Sequence, residues 1–140
     1  MLWMGEEIGM TGDWGEDGRK PMPWHRPETW NTELLEWYRD LGALRAAHDA
    51  LRHGGLRWVY VSADVCQHVR ESPSERLLVV AARADHDDVA MSRAGLGVST
   101  GTRLEPLLGT SDAITASDDV VRIPGGSAGL TVWRLDSEFS

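Results

Sequence analysis

The residues best suited to chemistry in this 140-residue chain lie near its start, in a segment rich in glycine, acidic residues and tryptophan. Glu6 and Glu7 form an adjacent carboxylate pair. Two carboxyl groups about 5 to 5.5 Å apart can act as nucleophile and acid/base at one bond. Neighbouring residues on an extended strand, however, point to opposite faces. Glu6 and Glu7 are therefore not expected to form a catalytic dyad.

Metal chemistry is also disfavoured by the spacing. A Ca²⁺ ion takes six to eight oxygen ligands, and the acidic residues of the segment match no EF-hand, so a solvated acidic loop is the better interpretation (Glu6, Glu7, Asp13, Glu16 and Asp17). Cys66 and His68 share one strand face, but two ligands do not make a metal site. We predict no metal, no cofactor and no catalytic histidine, since His25, His48, His53 and His86 are scattered.

The segment from Met4 to Trp24 is predicted to be a long ordered loop. It contains five glycines and two prolines, which rule out a regular helix. Residues Met1 to Met4 form a short apolar run that predicts the end of a buried strand. Loops longer than about a dozen residues are usually functional or disordered, and the prolines and tryptophans favour order.

Two motifs in this loop carry a family resemblance. Gly-Glu-Glu-Ile-Gly at residues 5–9, followed by Arg-Lys-Pro-Met-Pro-Trp at residues 19–24, resembles the last strand-to-helix loop of the α-amylase superfamily, glycoside hydrolase family 13. Similar elements occur in α-glucosidases and in cyclomaltodextrinase-type or neopullulanase-type enzymes. Glu6 stands where the family usually has Asp, and His25 follows Trp24 where an acidic residue is common.

This resemblance implies that the chain holds no catalytic residue. In the superfamily, the nucleophilic Asp, the acid/base Glu and the transition-state-stabilising Asp follow the fourth, fifth and seventh strands of a (β/α)₈ barrel. The resemblance places Met1 at the eighth strand. We therefore expect the three catalytic carboxyl groups upstream of residue 1, and we expect the chain to be inactive alone.

The resemblance also implies that the loop from Gly5 to Trp30 lines a substrate cleft, because active sites form on the loops that follow barrel strands. The expected substrate-binding residues are Asp13, Trp14, Arg19 and Trp24. Tryptophan rings can stack on a pyranose, and Arg19 can hydrogen-bond sugar hydroxyls or orient an acidic residue. A structural salt bridge for Arg19 and an anchoring role for Trp24 stay open as alternatives.

Periodicity predicts the elements that follow the loop. Leu34, Tyr38, Leu41 and Leu44 recur at helical spacing within a helix expected from Thr32 to His53, capped by Asn31 or Thr32 and stopped by a left-handed glycine at Gly54-Gly55. From there the period becomes two. Seven strands are expected, at 56–61, 65–70, 76–84, 88–92, 103–108, 119–123 and 130–135.

The predicted fold is therefore mixed. Residues 1–54 are expected to form the last strand, loop and helix of a (β/α)₈ barrel, and residues 55–140 an all-β antiparallel Greek-key sandwich. Whole, such a protein is expected to cleave α-glucosidic bonds of maltooligosaccharides or related α-glucans with retention. The alternative is a non-catalytic carbohydrate-binding or accessory module, which is disfavoured because only Trp58 and Trp133 lie in the sandwich, with no evident exposed platform.

Composition limits the partners. The hydrophobic share is 41% and the charged share 26%, which is typical of a globular protein. A net charge of −8 without clustered basic residues argues against nucleic acid. The longest apolar run, residues 77–82, is too short for a membrane span, and the single cysteine excludes an internal disulfide. The expected partners are an α-glucan oligosaccharide and a complementing N-terminal chain, and the expected location is the cytoplasm.

Overall fold

The computed structural model describes residues 4–15, 19–109 and 112–136. The chain divides into two compact units, Met1–Ala47 and His48–Ser140. The strand predicted at Met1 to Met4 lies outside the described residues except for Met4, which is in a turn and is 48% exposed.

The first motif of the loop forms a tight turn. Glu6–Ile8 is one turn of 3₁₀ helix, flanked by Gly5 at φ 88° and Gly9 at φ 73°. Both glycines adopt the left-handed conformation, which costs little only without a Cβ. A Cβ on Gly5 would also lie 2.2 Å from the sulfur of Met10. The Gly-x-x-x-Gly spacing therefore encodes the turn itself.

Helix α1 spans Thr32–Ala47. Asn31 caps it as predicted, since its side-chain oxygen accepts a hydrogen bond from the Leu34 amide at 2.9 Å. The Asn31 amide donates to the carbonyl of Ile8 at 3.0 Å, which joins the helix start to the 3₁₀ turn. The predicted stripe is the less exposed face of the helix, but no residue of α1 is buried.

The prediction of one continuous helix from 32 to 53 is wrong, because the helix is interrupted at His48. His48 has extended backbone angles, φ −116° and ψ 118°, and a separate helix α2 spans Asp49–Arg52. The Glu75 carboxylate caps this helix by accepting a hydrogen bond from the Ala50 amide at 2.9 Å. Because the cap comes from a residue distant in sequence, periodicity alone extends the helix too far.

The expected left-handed stop at Gly54-Gly55 is also wrong, because neither glycine has a positive φ. A Cβ on Gly54 would lie 2.4 Å from the Ala50 carbonyl oxygen and 2.6 Å from that of Glu71. Gly54 is therefore required by the close approach of two backbones.

The rest of the chain is antiparallel sheet, and every strand predicted from the period of two is present. A six-stranded sheet has the order β1-β2-β3-β8-β5-β6, and β4 pairs with β7 in a second sheet. The strands are β1 (Gly55–Val61), β2 (Val65–Glu71), β3 (Arg76–Ala82), β4 (Val89–Ser92), β5 (Arg103–Leu108), β6 (Ile114–Thr115), β7 (Val120–Ile123) and β8 (Gly129–Asp136). The predicted β-rich antiparallel domain is confirmed.

One buried cluster joins the two sheets. Leu78 and Trp133, opposite each other in the register of β3 and β8, pack in it with Val121 and Ile123 from β7. All four are at most 2% exposed. Strand β8 returns to lie between β3 and β5, so the core is closed by a pairing between distant parts of the sequence.

Two short elements were not predicted. Helix α3, Arg93–Leu96, follows β4, and the Ser92 hydroxyl caps it by accepting from the Gly95 amide at 3.0 Å. Helix α3 therefore lies within a domain that was expected to contain strands only. Strand β6 is only two residues long and pairs with β5. A single helical turn and a two-residue strand carry too little periodicity to be detected.

Candidate functional site

The second motif of the loop is held in place by local contacts. The rings of Trp24 and Trp30 meet edge to face, with centroids 5.9 Å apart and an angle of 72°. The Trp30 indole nitrogen donates to the Pro23 carbonyl at 3.3 Å, and the Arg26 amide donates to the same carbonyl at 3.0 Å. A 3₁₀ turn at Pro27–Thr29 then leads into α1. Edge-to-face contact fixes one ring against the other.

The four predicted substrate-binding residues are all on the surface. Trp14 is 69% exposed and Trp24 is 70% exposed, and Asp13 and Arg19 are exposed as well. Exposed indole faces suit stacking on a sugar ring. The assignment of these residues to a substrate stays a prediction. For Trp24, the contact with Trp30 shows that a residue can be both anchored on one edge and exposed.

An open cleft of about 460 Å³ lies beside this loop. None of the four predicted residues lines it. Lys20, His25 and Arg26 contribute nitrogen donors, and Thr11 and Thr29 contribute hydroxyl groups. The full lining is Gly9, Met10, Thr11, Lys20, Pro21, Met22, Pro23, His25, Arg26 and Thr29. Sequence reasoning missed these residues, although Lys20 and His25 directly flank the Pro-Met-Pro-Trp stretch.

The acidic pair at the start of the loop has a structural explanation. Glu6 and Glu7 lie in the 3₁₀ turn, so the premise that they occupy an extended strand is wrong. The Glu7 carboxylate accepts a hydrogen bond from the Gly5 amide at 3.1 Å. The sequence pattern alone does not distinguish an extended segment from a single helical turn of three residues.

The described residues contain no group of three or more His, Cys, Asp or Glu side chains arranged to hold a metal ion. No helix within this part of the chain has the length and apolar character needed to cross a membrane.

The edge strand β1 of the β-rich unit exposes two aromatic residues, Trp58 and, to a smaller extent, Tyr60. Trp58 on the edge strand β1 is 58% exposed, whereas Trp133 is fully buried. The Trp58 ring meets His68 edge to face, with centroids 5.2 Å apart. Burial lowers the pKa of His68 below its ordinary value of 6.5, and the positive charge of Arg70 lowers it further. The sequence indicated no exposed aromatic platform in the sandwich, and the structure places one exposed tryptophan, Trp58, on its edge strand.

An ion pair lies at the start of the same unit. His48 Nδ1 is 2.8 Å from a Glu75 carboxylate oxygen, and both side chains are largely buried. Burial raises the pKa of Glu75, but hydrogen bonds from His48 and from the amides of Ala50 and Asp49 outweigh it, so the pKa lies below 4.5. His48 thus has a structural role.

Sequence comparison finds relatives among α-glucan-acting enzymes. No family model matches the chain. A cyclomaltodextrinase from Geobacillus thermopakistaniensis is 33% identical over 86 residues, which are 60% of this chain and 14% of that protein. Neopullulanase 2 from Thermoactinomyces vulgaris is 39% identical over 57 residues, which are 41% of this chain and 10% of that protein. The chain thus spans a small part of these relatives.

Solved structures of two such enzymes resemble this chain in fold. An α-amylase from Geobacillus thermoleovorans, complexed with acarbose, has a TM-score of 0.78 at 18% identity, over 96% of this chain and 29% of that one. A cyclic α-maltosyl-(1→6)-maltose hydrolase from Arthrobacter globiformis has a TM-score of 0.64 at 28% identity, over 96% of this chain and 26% of that one.

The fold and the sequence relatives are therefore those of glycoside hydrolases of the α-amylase type. The resemblance to glycoside hydrolase family 13 is confirmed by this similarity to cyclomaltodextrinases and a neopullulanase in sequence and to an α-amylase in fold.

Proposed function

We propose that this chain forms the C-terminal part of a retaining glycoside hydrolase that acts on α-glucosidic bonds of maltooligosaccharides or related α-glucans. The observation that carries the proposal is the match to a cyclomaltodextrinase and a neopullulanase, of which the chain covers 14% and 10%. In this proposal, residues 1–54 complete a (β/α)₈ barrel and residues 55–140 form the domain that follows it.

The packing of helix α1 supports a barrel partner. Its stripe, which includes Leu34, Tyr38, Leu41 and Leu44, is only half-buried, and no residue of the helix is buried. An amphipathic helix is stabilised mainly by covering its apolar face. The outer helix of a barrel covers that face against neighbouring strands and helices.

The loop supports a role in substrate binding. In the proposed enzyme, Trp14 and Trp24 stack on pyranose rings, while Asp13 and Arg19 hydrogen-bond sugar hydroxyls. The edge contact with Trp30 holds Trp24 while leaving the ring 70% exposed. A preorganised ring loses less conformational entropy when it binds a sugar. The carboxyl groups that break the bond come from upstream sequence.

A chimera tests this proposal. The corresponding C-terminal region of the Geobacillus cyclomaltodextrinase is replaced by this chain, and hydrolysis of maltooligosaccharides is measured. We expect activity in the chimera, none in the 140-residue chain alone, and a KM raised about two- to tenfold in the Trp24→Ala chimera, since stacked aromatic rings contribute about 0.5–1.5 kcal/mol beyond burial. Genuine turnover of a nitrophenyl α-glucoside by the chain alone would contradict the proposal.

One observation favours an accessory binding module as a second candidate. Trp58 is 58% exposed and its ring is held by His68. Titration of the chain with maltotriose, followed by tryptophan fluorescence, separates the two candidates. A saturable response lost in Trp58→Ala but kept in Trp24→Ala would favour the module, whereas the proposed enzyme fragment predicts no such pattern.

A further inference from the structure

The six-stranded sheet is apolar on both of its faces. One face packs into the core cluster through Leu78 of β3 and Trp133 of β8, which are opposite each other in register. Val79 and Val132, the neighbouring residues on these strands, are also paired, and they point to the other face because successive side chains of a strand alternate. Neither belongs to the core cluster, yet both are at most 7% exposed. We call the face opposite the core cluster the outer face.

The strand register extends the outer face to the edge strand β1. Trp58 is paired with His68, and His68 with Val79, so their side chains lie on the same face. A second row of four uncharged residues lies beside this one, each the register partner of the next: Val61, Cys66, Ala81 and Leu130. The outer face becomes open toward β1, where Trp58 is 58% and Val61 is 66% exposed.

The second sheet has the alternation expected of a sheet with one face in water. In β7, Val121 and Ile123 are buried, while Val120 and Arg122 are exposed. In β4, the exposed Ser92 is the register partner of Val120. The outward positions of this sheet thus include charged and polar side chains, whereas the two rows on the outer face of the six-stranded sheet contain no carboxylate, ammonium or guanidinium group. A continuous apolar surface commonly marks an interaction site.

A concave part of the outer face has a polar rim. An open cavity of about 320 Å³ is lined by Cys66 and Ala81 of the second row and by the turn after β1. Asp64 and Arg83 also line it, and their side chains form an ion pair with 2.8 Å between Asp64 Oδ1 and Arg83 Nε. The two charges of the rim therefore balance each other. An apolar centre with a polar rim is typical of protein interfaces.

Helix α2 already covers one end of the outer face. It packs against β2 and β3, and the Arg70 guanidinium on β2 donates to the carbonyls of Gly54 at 2.9 Å and of Leu51 at 3.5 Å. Ala50 of α2 and Leu77, the register partner of Arg70, are both fully buried. The outer face is thus covered by α2 at one end and open at the edge strand β1.

We propose that the open part of the outer face, at Trp58, Val61, Cys66, Ala81 and Leu130, is the surface against which the upstream catalytic part of the enzyme packs. The inference rests on the proposed function, in which α2 belongs to the segment 1–54 that completes a barrel. The Geobacillus cyclomaltodextrinase is matched over only 14% of its length. The proposed enzyme therefore has a large upstream part, and this surface, continuous with α2, is its apolar docking site. Trp58 then contacts protein and is not a platform for a sugar.

Alkylation of the single cysteine measures whether this surface is covered. Cys66 is partly exposed and lines an open cavity, and the chain contains no other cysteine. Iodoacetamide is added to the 140-residue chain and to the chimera with the Geobacillus cyclomaltodextrinase, and the modified peptide is quantified by mass spectrometry. We expect Cys66 to react at least about tenfold more slowly in the chimera, because reaction then requires local opening of the interface. Equal rates would overturn the inference.

Matched substitutions measure the contribution of the surface to stability. Val61→Asp places a carboxylate on the open part of the outer face, whereas Val120→Asp makes the same change at a 50% exposed position of the second sheet. In the chimera, Val61→Asp should lower the apparent melting temperature by about 5 °C more than Val120→Asp, because a carboxylate in an apolar interface is desolvated. In the chain alone, the two effects should agree within about 1 °C, since both positions are exposed there. Equal effects in the chimera would contradict the interface.

Sedimentation of the chain alone separates the upstream part from a second copy of the chain as the occupant. The inference expects no stable dimer that depends on this surface. A dimer that Val61→Asp dissociates and Val120→Asp does not, together with an unprotected Cys66 in the chimera, would assign the surface to a second copy and refute the inference.

The chimera also separates this inference from the proposed function. An active chimera in which Cys66 remains as reactive as in the chain alone refutes the interface and leaves the proposed function intact. An inactive but folded chimera in which Cys66 is protected and Val61→Asp is destabilising supports the interface and refutes the proposed function.

Discussion

Each of the two units of the chain is stabilised by a different kind of internal contact. Residues 48–140 share a cluster of fully or nearly buried side chains drawn from both sheets. Among the described residues up to Ala47, Ile8 is the only buried hydrophobic residue. The first unit is instead ordered by left-handed glycines, short-range hydrogen bonds and the Trp24–Trp30 contact. The unit at residues 48–140 is therefore stabilised by a buried core, and the first unit is stabilised by local contacts.

This difference has an energetic basis. Burying a large apolar side chain contributes about 1.5–3 kcal/mol, whereas a hydrogen bond formed in place of one to water contributes about 0.5–1.5 kcal/mol net. A region with many buried side chains unfolds as a unit. A region held by single hydrogen bonds opens locally at lower cost. The region proposed to contact substrate is the one with the lower expected stability.

The largest expected effect comes from the core. Trp133→Ala removes a fully buried ring that packs between the two sheets, and it should lower the free energy of unfolding by about 3–5 kcal/mol. Urea unfolding measures the change. The matched control is Trp24→Ala, which removes the same side chain from a 70% exposed position and should change stability by less than about 1 kcal/mol. Similar losses of stability in the two variants would contradict the difference between the core-stabilised and the locally stabilised unit.

The next largest effect is expected at Glu75, which caps α2 within the β-rich unit. Glu75→Gln should destabilise the chain by about 1.5–3 kcal/mol near neutral pH, because hydrogen bonds to a charged carboxylate are lost. Glu71→Gln is the control. Its partner Arg57 is half-exposed and its own side chain is 37% exposed, so about 0.2–1 kcal/mol is expected.

The pH dependence of this effect has a definite sign. The pKa of Glu75 is lower in the folded chain than its ordinary value of 4.5. Its contribution is therefore fully present above pH 4.5 and is lost as the pH falls from 4.5 through the folded pKa. Urea unfolding at a series of pH values should show the two proteins converging in acid. A difference that persists unchanged below that range would refute the role of the charge.

The smallest expected effect is local to the loop. Gly9→Ala places a Cβ in the left-handed region at φ 73° and 3.2 Å from the Cβ of Asn31, at a cost of about 1–2 kcal/mol. Hydrogen exchange should rise at the Met10 and Asn31 amides and stay unchanged in β3. Gly42→Ala is the control of opposite sign, since nothing lies near its Cβ and alanine favours a helix by about 0.5–1 kcal/mol. Faster exchange throughout the chain would contradict local stabilisation.

Seven of the eight strands in the described part of the chain were predictable, because each has at least four residues and the period of two can appear. In β2, Val65, Gln67 and Val69 are buried while the residues between them are less so. Gln67 was not predicted to be a core residue, and its amide is fully buried without a protein partner among the described residues. Alternation reveals which face a residue occupies, but it does not reveal what that face packs against.

The loop was predictable only in part. Its glycines and prolines predicted an irregular backbone, and its two motifs indicated the family resemblance. They did not reveal the cleft, because Lys20, His25 and Thr11 are brought together by the Gly5–Gly9 turn and the turn at Pro27–Thr29. Trp24 is exposed, and its assignment to the substrate stays a prediction, while the basic residues beside it were not predicted to line the cleft.

From the sequence alone it was possible to predict seven strands, the cap at Asn31 and the family resemblance, since capping residues, short motifs and alternating hydrophobicity act between near neighbours along the chain. The break of the helix at His48, the order of the strands in the sheets and the lining of the cleft became known from the folded structure. Those features depend on contacts between distant positions, such as Glu75 with Ala50 and β3 with β8. These contacts form, and contribute to stability, only when the chain has folded.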